Sequence, residues 1–563
     1  MNIRKRALAG AVAVTLGSLL LSAQTREFQP VTDAMLQKPA AGEWLHWRGT
    51  QDAWGYSPLD QINRGNVGQL QLAWSWAMPQ GSAEPAPLVH DGVMYIPQPG
   101  GGVQALDAVT GDLLWDYSRK YPSENLAERP MRSIGLYGDK VFVNTPDAHM
   151  VGLNARTGAL VWDHMVADHK LGYEYTSGPI VAKGHVVAGI TGCGRYKNDV
   201  CFISAYDPDT GRELWRTSTI ARPGEPGGDT WGDLPLTFRA GSDAWIPGSY
   251  DPATNLIYWS TAQAKPWARA VRGTDGDALY TNSTLALDPD SGKINWYHQF
   301  LPGETQDMDE VFENILVDRG GRQSVFKMGK LGILWELDRK TGAYVASHDL
   351  GYQNILNVDA QTGKVTYRPG MIPEIGKALT FCPSTAGFKD WRAMAFSPQT
   401  QAFYIPMALT CERAIFEEVP RAEGNGGTGP VDRTNLFHPA SPEGLGEFTA
   451  MDANGKVLWR YRTRTPMNTA ALTTAGGLAI VGDWDRNLYV FDAANGKILY
   501  QTRMPTSVQG FPISYAVRGK QYLAIPVGTG GGSWGTQVPV QLTPDKQRRD
   551  NANAIYVFAL PGR

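Results

Sequence analysis

The sequence predicts an all-β fold, an eight-bladed β-propeller, from three observations. A short pattern recurs along the 563 residues: strand-like residues, an Asp or Asn, a Gly a few positions later, and then an aromatic residue. Gly and Pro are frequent, with 63 and 37 residues, and they mark many turns between short strands. The 18 Trp residues indicate that one packing contact is repeated. Repeats of about 40–50 residues built from short strands are typical of propellers.

Each copy of the repeat has a simple physical explanation. Its Asp-x-x-Thr-Gly core predicts a tight turn, in which Asp caps the backbone and Gly takes a positive φ. Alternating apolar residues on both sides predict the two strands of a hairpin. The copies are ALDAVTGDLLW, GLNARTGALVW, AYDPDTGRELW, ALDPDSGKINW, AMDANGKVLW and FDAANGKILY, and they end at Trp115, Trp162, Trp215, Trp296, Trp459 and Tyr500.

Two further copies are incomplete. ELDRKTGAYVA has Val345 or Ala346 in place of the aromatic residue, and NVGQLQLAW keeps only the final strand and Trp74. Together these terminal strands predict eight blades, and the run AIYVFALP from Ala554 to Pro561 is expected to close the ring. A β-sandwich, or several separate β domains, is the alternative, but the regular recurrence favours one ring. The wide spacings between some repeat glycines predict inserted loops.

The first residues have the pattern of an export signal. Arg4, Lys5 and Arg6 precede an apolar run that ends in a small-residue cleavage site near Ala23. We therefore expect residues 1–23 to be a signal peptide and residues 24–563 to form a single propeller domain in the periplasm. A retained anchor helix is the alternative, but the run is short for a membrane span, so we expect no span after processing.

Composition and cysteine usage narrow the function further. Charged residues make up only 19% of the chain and the net charge is −3, which argues against a nucleic-acid-binding protein. Export permits disulfides. Four cysteines allow three pairings, and the pairing local in sequence is Cys193–Cys201 with Cys382–Cys411. No Cys-x-x-Cys-His motif is present, so a one-electron relay would have to be a separate protein.

The repeat Ala-x-Asp-x-x-Thr-Gly-x-x-x-Trp resembles the tryptophan-docking motif of quinoprotein dehydrogenases. These are periplasmic eight-bladed propellers that hold pyrroloquinoline quinone (PQQ) and usually Ca²⁺. The resemblance extends from about Gly42 to the C-terminus and includes SPLDQINRGNVGQLQLAW, EPAPLVHDGVMY, SYDPATNLIYWS and QYLAIPVGTGGGSWG. It is closest to the sorbose/sorbosone dehydrogenases and to neighbours that oxidise bulky secondary alcohols such as trichothecenes.

This resemblance implies an oxidoreductase that converts a primary or secondary alcohol to a carbonyl compound. The alcohol would be a polyol, a sugar or a bulky secondary alcohol such as a trichothecene hydroxyl. PQQ would accept the hydride, and a soluble cytochrome c would take the electrons.

The resemblance also assigns a catalytic base in VRGTDGDALYTNST, whose Gly-Asp-x-x-x-Thr segment gives Asp277 rather than Asp275. Oxidation of an alcohol requires a carboxylate that removes the hydroxyl proton. Relatives that use lanthanides have another Asp two residues after the base. Leu279 stands there, so Ca²⁺ is expected, with Asp277 and Gln263 among its ligands. Both aspartates could also be plain turn formers, and Arg272 receives no role.

Other cofactor contacts follow from matching segments. Lys330 in KMGKLGILWELD resembles the cation beside the reactive carbonyl, where it would stabilise developing negative charge. Trp245 in GSDAWIPGSYDP resembles the indole that supports the quinone ring by stacking. The remaining cofactor residues implied in this way are Glu84, Arg132, Thr176, Thr191 and Gly192. Each also has an ordinary explanation as a rim charge, a hairpin residue or a packing residue.

The chain departs from the family pattern at four places. The segment ERPMRS lacks the adjacent cysteine pair that covers the quinone in many relatives, and Ala408 lies near the position of a family Asn. Gly194 stands where a metal-binding Glu is expected, and Gln263 replaces an Asn. Loss of a carboxylate should weaken Ca²⁺ binding. The disulfide at Cys193 either shapes the cover of the quinone instead or only staples a loop.

Two other functions compete with this one. A non-catalytic quinoprotein-like scaffold of the outer-membrane assembly type would keep the blades but lose the residues of the pocket. The retained Asp277, Arg132, Trp245 and Lys330 favour the enzyme. A sugar lyase or hydrolase propeller ranks third, because no further carboxylate pair stands out. The insertion from 414 to 447 is expected to set specificity over the channel mouth; it could instead dock the electron acceptor or be a mobile surface loop.

Overall fold

The protein was analysed as a computed structural model that describes residues 28–121, 124–530 and 537–562. The predicted signal peptide lies outside the described residues, as does part of the Gly-rich segment near the C-terminus. The described chain is rich in β-strands, which confirms the predicted all-β class. Its helices are single short turns, and none of those described is long and apolar enough to span a membrane.

Eight antiparallel sheets of four strands, which we call blades 1 to 8, form the framework of the described chain. Blade 1 comprises Leu88–His90, Val93–Gln98, Gly102–Asp107 and Leu113–Tyr117. Blade 2 comprises Gly135–Tyr137, Lys140–Asn144, His149–Asn154 and Leu160–Met165. Blade 3 comprises Ile180–Ala182, His185–Gly189, Phe202–Tyr206 and Glu213–Ser218. Blade 4 comprises Ser249–Asp251, Leu256–Ser260, Ser283–Leu287 and Ile294–Gln299.

The remaining blades follow in chain order, and the last one combines both ends of the described chain. Blade 5 comprises Asn314–Arg319, Arg322–Met328, Ile333–Asp338 and Tyr344–Asp349. Blade 6 comprises Ala395–Ser397, Ala402–Ala408, Gly446–Asp452 and Val457–Thr463. Blade 7 comprises Leu472–Thr474, Leu478–Gly482, Asn487–Asp492 and Ile498–Arg503, with Tyr56–Ser57 added in parallel. Blade 8 comprises Ile513–Val517, Lys520–Val527, Ala554–Ala559 and Gln71–Ala77.

Smaller elements lie between the blades. Ala240–Gly241 pairs with Ala264–Lys265, and Leu356–Val358 pairs with Val365–Tyr367. The predicted insertion contributes to a three-stranded sheet of Ala378–Phe381, Thr410–Phe416 and Val431–Phe437. The short α-helices are Asp33–Gln37, Glu124–Ala127, Arg269–Arg272 and Gln537–Leu542. The 3₁₀ turns are Val67–Gln69, Pro99–Gly101, His169–Leu171, Gly228–Trp231 and Leu236–Phe238.

The repeat glycine and the terminal tryptophan meet between neighbouring blades. Gly111 has a φ of 80°, and a Cβ at this position would overlap the indole of Trp74. The indole N–H of Trp74 donates to the carbonyl of Ala108 in the same turn, at 3.3 Å. The same contact recurs along the chain in the pairs Trp115–Gly158, Trp162–Gly211, Trp215–Gly292, Trp296–Gly342 and Trp459–Gly496. Glycine is therefore required twice in each turn, for its positive φ and for the close approach of the ring.

These contacts also establish the ring. Each pair joins the outer strand of one blade to the turn of the next, and Trp74 of blade 8 packs on Gly111 of blade 1. In the copy that lacks an aromatic at 345 or 346, His348 lies against Gly455 and takes its place. The strand Ala554–Ala559 pairs with Gln71–Ala77, so the predicted closing strand is confirmed.

Both predicted disulfides are present. Cys193 is bonded to Cys201 in the loop between the second and third strands of blade 3, and Cys382 is bonded to Cys411 in the three-stranded insertion. All four sulfurs belong to buried residues. The first covalent link therefore closes a loop within blade 3, and the second fastens the inserted sheet.

Candidate functional site

One cavity of about 290 Å³ gathers loops from several blades. Acidic and basic side chains both line this cavity, which we call the charged cavity. Its charged lining residues are Arg129, Arg132, Glu174, Asp243, Lys265, Asp307, Asp309, Lys330 and Asp390. Most of them come from the connections between successive blades from blade 1 to blade 6, while Lys265 and Lys330 come from loops inside blades 4 and 5. These segments lie far apart in the sequence. A propeller brings such connections together at one end of its ring.

Most of the predicted cofactor residues lie in this cavity. Arg132, Thr176, Thr191, Gly192, Trp245, Gln263 and Lys330 all line it. Glu84 is fully buried and is not among the lining residues; it lies behind them as the partner of Arg132. The structure thus assembles residues that the sequence matched one segment at a time.

Arg132 is held rigidly at one side of the charged cavity. Its Nε lies 2.7 Å from a carboxylate oxygen of Glu84, and its Nη1 donates to the carbonyl of Thr176 at 3.2 Å. Its guanidinium carbon lies 5.1 Å from the ring centre of Trp245, a cation–π distance. Trp245 is in turn fixed edge-on by Phe312 at 5.5 Å. This side therefore presents a positive charge and an adjoining indole in a defined orientation.

Lys330 binds two buried carboxylates on another side of the cavity. Its Nζ lies 2.9 Å from Asp307 Oδ2 and 2.8 Å from Asp309 Oδ2. It also donates to the backbone carbonyl of Asp307 at 2.9 Å. The side-chain amide of Gln263 donates to Asp307, and its backbone N–H donates to Asp309 at 3.3 Å. Asp307 has a φ of 71°, which is rare outside glycine and often marks functional positions.

Burial and charge set the proton affinities in this cluster. Burial raises the pKa of Asp307 well above its ordinary value, although Lys330 opposes the shift. Burial likewise raises the pKa of Asp309. Burial lowers the proton affinity of Lys330, but the two aspartates outweigh it and raise its pKa. The cluster consequently pairs one firmly charged ammonium with two carboxylates of enhanced basicity.

The structure does not bring Asp277 to this site. Its side chain is exposed, as is that of Asp275, and neither residue is among those that line the charged cavity. The backbone carbonyl of Asp277 instead accepts hydrogen bonds from Gly303 N–H and from the Gln299 amide. The Gly-Asp-x-x-x-Thr match therefore selected a solvent-facing turn, and the two carboxylates that contact Lys330 lie about thirty residues later in ETQDMDE.

Arg272, which had no role in the sequence, is fully buried beside the cavity loops. Its guanidinium donates to the backbone carbonyls of Pro266, Trp267 and Glu304 at 2.8–3.0 Å. It thereby ties the loop that follows Gln263 to the loop that carries the two cavity aspartates. Its role is to position these loops and not to contact a ligand.

A second ion pair lines the cavity next to the disulfide. Lys265 Nζ lies 2.8 Å from Asp243 Oδ2. The other oxygen of Asp243 accepts the backbone N–H of Cys193 at 3.0 Å. Burial opposes charge in both groups, but their mutual attraction lowers the pKa of Asp243 and raises that of Lys265. Cys193 itself is not among the lining residues, so the disulfide supports the cavity wall from behind.

The oxygen donors suit a hard metal cation. Gln263 Oε1 is buried without a hydrogen-bond partner, while the amide group of this side chain contacts Asp307. Asp307 and Asp309 add carboxylate oxygens, which Ca²⁺ and similar ions prefer. Gly194 supplies no side-chain oxygen, as the sequence indicated. The residues present therefore fit a metal ion, with a donor set that differs from the one expected.

Several residues that line the cavity were not predicted from the sequence: Arg129, Glu174, Asp243, Lys265, Asp307, Asp309 and Asp390. A signal for two of them was present, since QDMDE places Asp307 and Asp309, followed by Glu310, on one loop between strands. That is the same feature that drew attention to Asp275 and Asp277. Nothing local distinguishes the other five from surface charges.

Comparison with known proteins agrees with this geometry. The family described as PQQ-dependent glucose/ethanol/alcohol dehydrogenase, beta-propeller domain, matches residues 44–349 and 441–523. The quinohemoprotein alcohol dehydrogenase ADH IIB of Pseudomonas putida is 32% identical over 93% of this chain and 78% of its own length. The quinoprotein ethanol dehydrogenase of Pseudomonas aeruginosa is 30% identical over 98% of this chain and 96% of its own. Among solved structures, a europium-containing methanol dehydrogenase superposes with a TM-score of 0.86 at 27% identity, covering 94% of this chain and 99% of its own.

Proposed function

Because the chain belongs to the family of PQQ-dependent alcohol dehydrogenases, we propose that the charged cavity binds PQQ and oxidises an alcohol with Asp307 as the base. The observation that carries this proposal is the contact of Lys330 with two buried aspartates in the cavity that also holds Arg132 and Trp245. When bound, the quinone accepts the hydride from the alcohol carbon. The chain itself must remove the hydroxyl proton, orient both molecules and exclude water.

Asp307 is the better candidate for the base of the two buried aspartates. Gln263 and Lys330 contact both of its oxygens and hold the carboxylate in one orientation. Burial raises its pKa, so it accepts a proton more readily than an exposed carboxylate would. Asp309 is fixed by Lys330 and by the backbone of Gln263, which suits a group that binds a cation. Asp277 is no longer proposed as the base, because its side chain is exposed.

Lys330 and Arg132 supply the positive charge that an acidic quinone requires. Lys330 is the cation that would stabilise negative charge on a carbonyl oxygen of the cofactor. The guanidinium of Arg132 suits a carboxylate, because it offers several donors in one plane. Trp245, held by Arg132 and Phe312, offers a flat face on which the quinone ring can stack.

The metal ion is proposed to bind Gln263 Oε1 and the carboxylates of Asp307 and Asp309. The sequence favoured Ca²⁺ because Leu279 follows Asp277 by two positions. With Asp307 as the base, the residue two positions later is Asp309, which is the arrangement that the resemblance associates with lanthanides. We therefore propose that the site accepts a lanthanide as well as Ca²⁺, and that the extra carboxylate compensates for Gly194.

The substrate is proposed to be a bulky secondary alcohol, a polyol or a sugar. Thr428 of the insertion lines the cavity, and the backbone N–H of Gly427 donates to the carbonyl of Gly194. The insertion therefore borders the cavity and can select substrates by shape. We propose that the protein works in the periplasm and passes electrons to a soluble cytochrome c. The export signal and the absence of a haem-attachment motif support this.

The proposal is tested by reconstitution of the metal-free apo-protein. Purified protein is incubated with PQQ and either Ca²⁺ or La³⁺, and reduction of an artificial electron-accepting dye is followed with a panel of alcohols. We expect turnover with at least one bulky or polyhydroxylic alcohol. Absence of quinone binding together with absence of dye reduction, under every metal condition, would refute the proposed function.

A further inference from the structure

Gly194 lies next to Lys265, which lines the charged cavity. A Cβ at position 194 would lie 3.2 Å from Cδ of Lys265, closer than side-chain carbons normally approach. A side chain at this position would therefore require Lys265 to shift by a few tenths of an ångström, and Cα of Gly427 lies equally close. Position 194 offers no side-chain carboxylate, while the neighbouring Lys265 contributes an ammonium to the cavity.

The ammonium of Lys265 is built into the wall of the cavity. Asp243 holds it at 2.8 Å, and Cys193 N–H holds Asp243 through the other carboxylate oxygen. The side chain of Lys265 is 19% exposed and that of Asp243 is 4% exposed. The ammonium can therefore still meet a ligand in the cavity, while its anchoring aspartate stays almost fully buried. A lysine held in this way needs little ordering when a ligand arrives.

Lys265 also belongs to the loop that carries Gln263, one of the proposed metal ligands. It attracts Asp309 and Asp307 electrostatically, so its charge acts on the same region as the metal ion would. This chain has a positive charge there that cannot dissociate.

We propose that Lys265 is a permanent cation that binds the acidic edge of the quinone, so that this chain retains the quinone without a metal ion. The inference rests on the proposed function, since it assumes that the ligand is an acidic quinone. The metal ion would then be needed for oxidation of the alcohol, whereas Lys265 would keep the quinone bound. One charge-assisted hydrogen bond corresponds to about ten- to a hundredfold in affinity.

The test is a titration of apo-protein with PQQ, followed by quenching of tryptophan fluorescence, in EDTA or in Ca²⁺. We expect the unaltered protein to bind PQQ in EDTA within about threefold of its affinity in Ca²⁺ (a margin chosen well below one hydrogen bond). Lys265→Ala should bind about ten- to a hundredfold more weakly in EDTA and recover much of the loss in Ca²⁺. Lys265→Arg should bind in EDTA like the unaltered protein.

Two further variants complete the design. Gly194→Glu places a carboxylate beside Lys265, where it should neutralise the ammonium and make binding depend on Ca²⁺. Lys183→Ala removes an exposed lysine paired with Asp290 and should change nothing. Circular dichroism and thermal unfolding establish that each variant is folded before it is titrated.

Each result of these PQQ titrations either supports or overturns the proposed role of Lys265. Binding by the unaltered protein only when Ca²⁺ is added would overturn the inference and leave the proposed function standing. Equal binding by Lys265→Ala and the unaltered protein in EDTA would also overturn it. No binding under any metal condition would overturn the proposed function as well.

Discussion

Replacement of Asp307 by Asn tests the central step of the proposed reaction. A correctly placed base contributes about 10²- to 10⁴-fold to the rate, or about 3–5 kcal/mol of the barrier at about 1.4 kcal/mol per factor of ten. Asn removes the base and keeps the shape. We therefore expect kcat to fall by about 10²- to 10⁴-fold.

The surroundings of Asp307 should survive this substitution. Lys330 keeps its 2.8 Å contact with Asp309 and its hydrogen bond to the backbone carbonyl of residue 307. An amide oxygen at position 307 can still accept from the side chain of Gln263. We therefore expect quinone affinity to change by less than about threefold, which is small beside the loss of a charged hydrogen bond.

The measurement is steady-state dye reduction by the reconstituted enzyme, together with a quinone titration of each variant. Asp277→Asn is the matched control, because it makes the same chemical change at an exposed aspartate. We expect this control to turn over within about twofold of the unaltered enzyme, as is usual for surface changes. If Asp277→Asn lost as much activity as Asp307→Asn, or if Asp307→Asn kept full activity, the assignment of the base would be wrong.

Three further predictions concern stability. Lys330→Met leaves two buried carboxylates without their cation and should cost about 3–5 kcal/mol of folding stability at pH 8. A urea midpoint equal to that of the unaltered protein would contradict this. Gly111→Ala should lose about 2–4 kcal/mol, because the methyl group meets Trp74 and φ is positive. Gly138→Ala, with a positive φ but open space, should lose only about 1–2 kcal/mol in the same assay, and equal losses would refute the docking explanation. Burial lowers the pKa of His46 to about 3, so the folded state resists its protonation and stability should fall with pH below about 6.5, by about 1.4 kcal/mol per unit. His46→Gln should flatten this slope between pH 6 and pH 4 in urea titrations, and an unchanged slope would refute the assignment.

The fold could be predicted from the sequence because the repeat encodes a local contact. Each turn contains its own capping residue and its own glycine, and each outer strand carries the ring that covers the next glycine. These rules need only about ten consecutive residues, so they are readable without a structure. The exception at His348 shows the limit of this reasoning, because an imidazole two positions from the expected aromatic fills the same space.

The site was only partly predictable, for a physical reason. Arg132, Trp245 and Lys330 lie in segments whose neighbours resemble the family, and the structure places all three in one cavity. The base could not be located in this way, since an aspartate on an exposed turn and one in a buried loop look alike in a sequence. Burial and the contact with Lys330 distinguish Asp307 from Asp277, and both depend on loops that meet only in the folded ring.

Only part of the arrangement at Gly194 and Lys265 could be predicted from the sequence. The sequence showed that a carboxylate was missing and led to the expectation of a weaker metal site. It did not show that Lys265, from a loop of blade 4, lies beside Gly194 and adds a positive charge to the cavity. This contact depends on the folded ring and has no local signal in the sequence.

The closure of the ring has a consequence for how the protein can be made. In blade 8, the strand Ala554–Ala559 lies between the strands Gln71–Ala77 and Lys520–Val527. Blade 8 therefore cannot be completed until nearly the whole chain has been synthesised. Until then the first and last sheets expose unpaired strand edges, which invite association with other chains. Pairing across almost five hundred residues is also slow, since it joins points far apart in the chain. A chain truncated shortly before residue 554 would therefore expose two unpaired strand edges. We expect such a chain to aggregate or to be degraded by proteases.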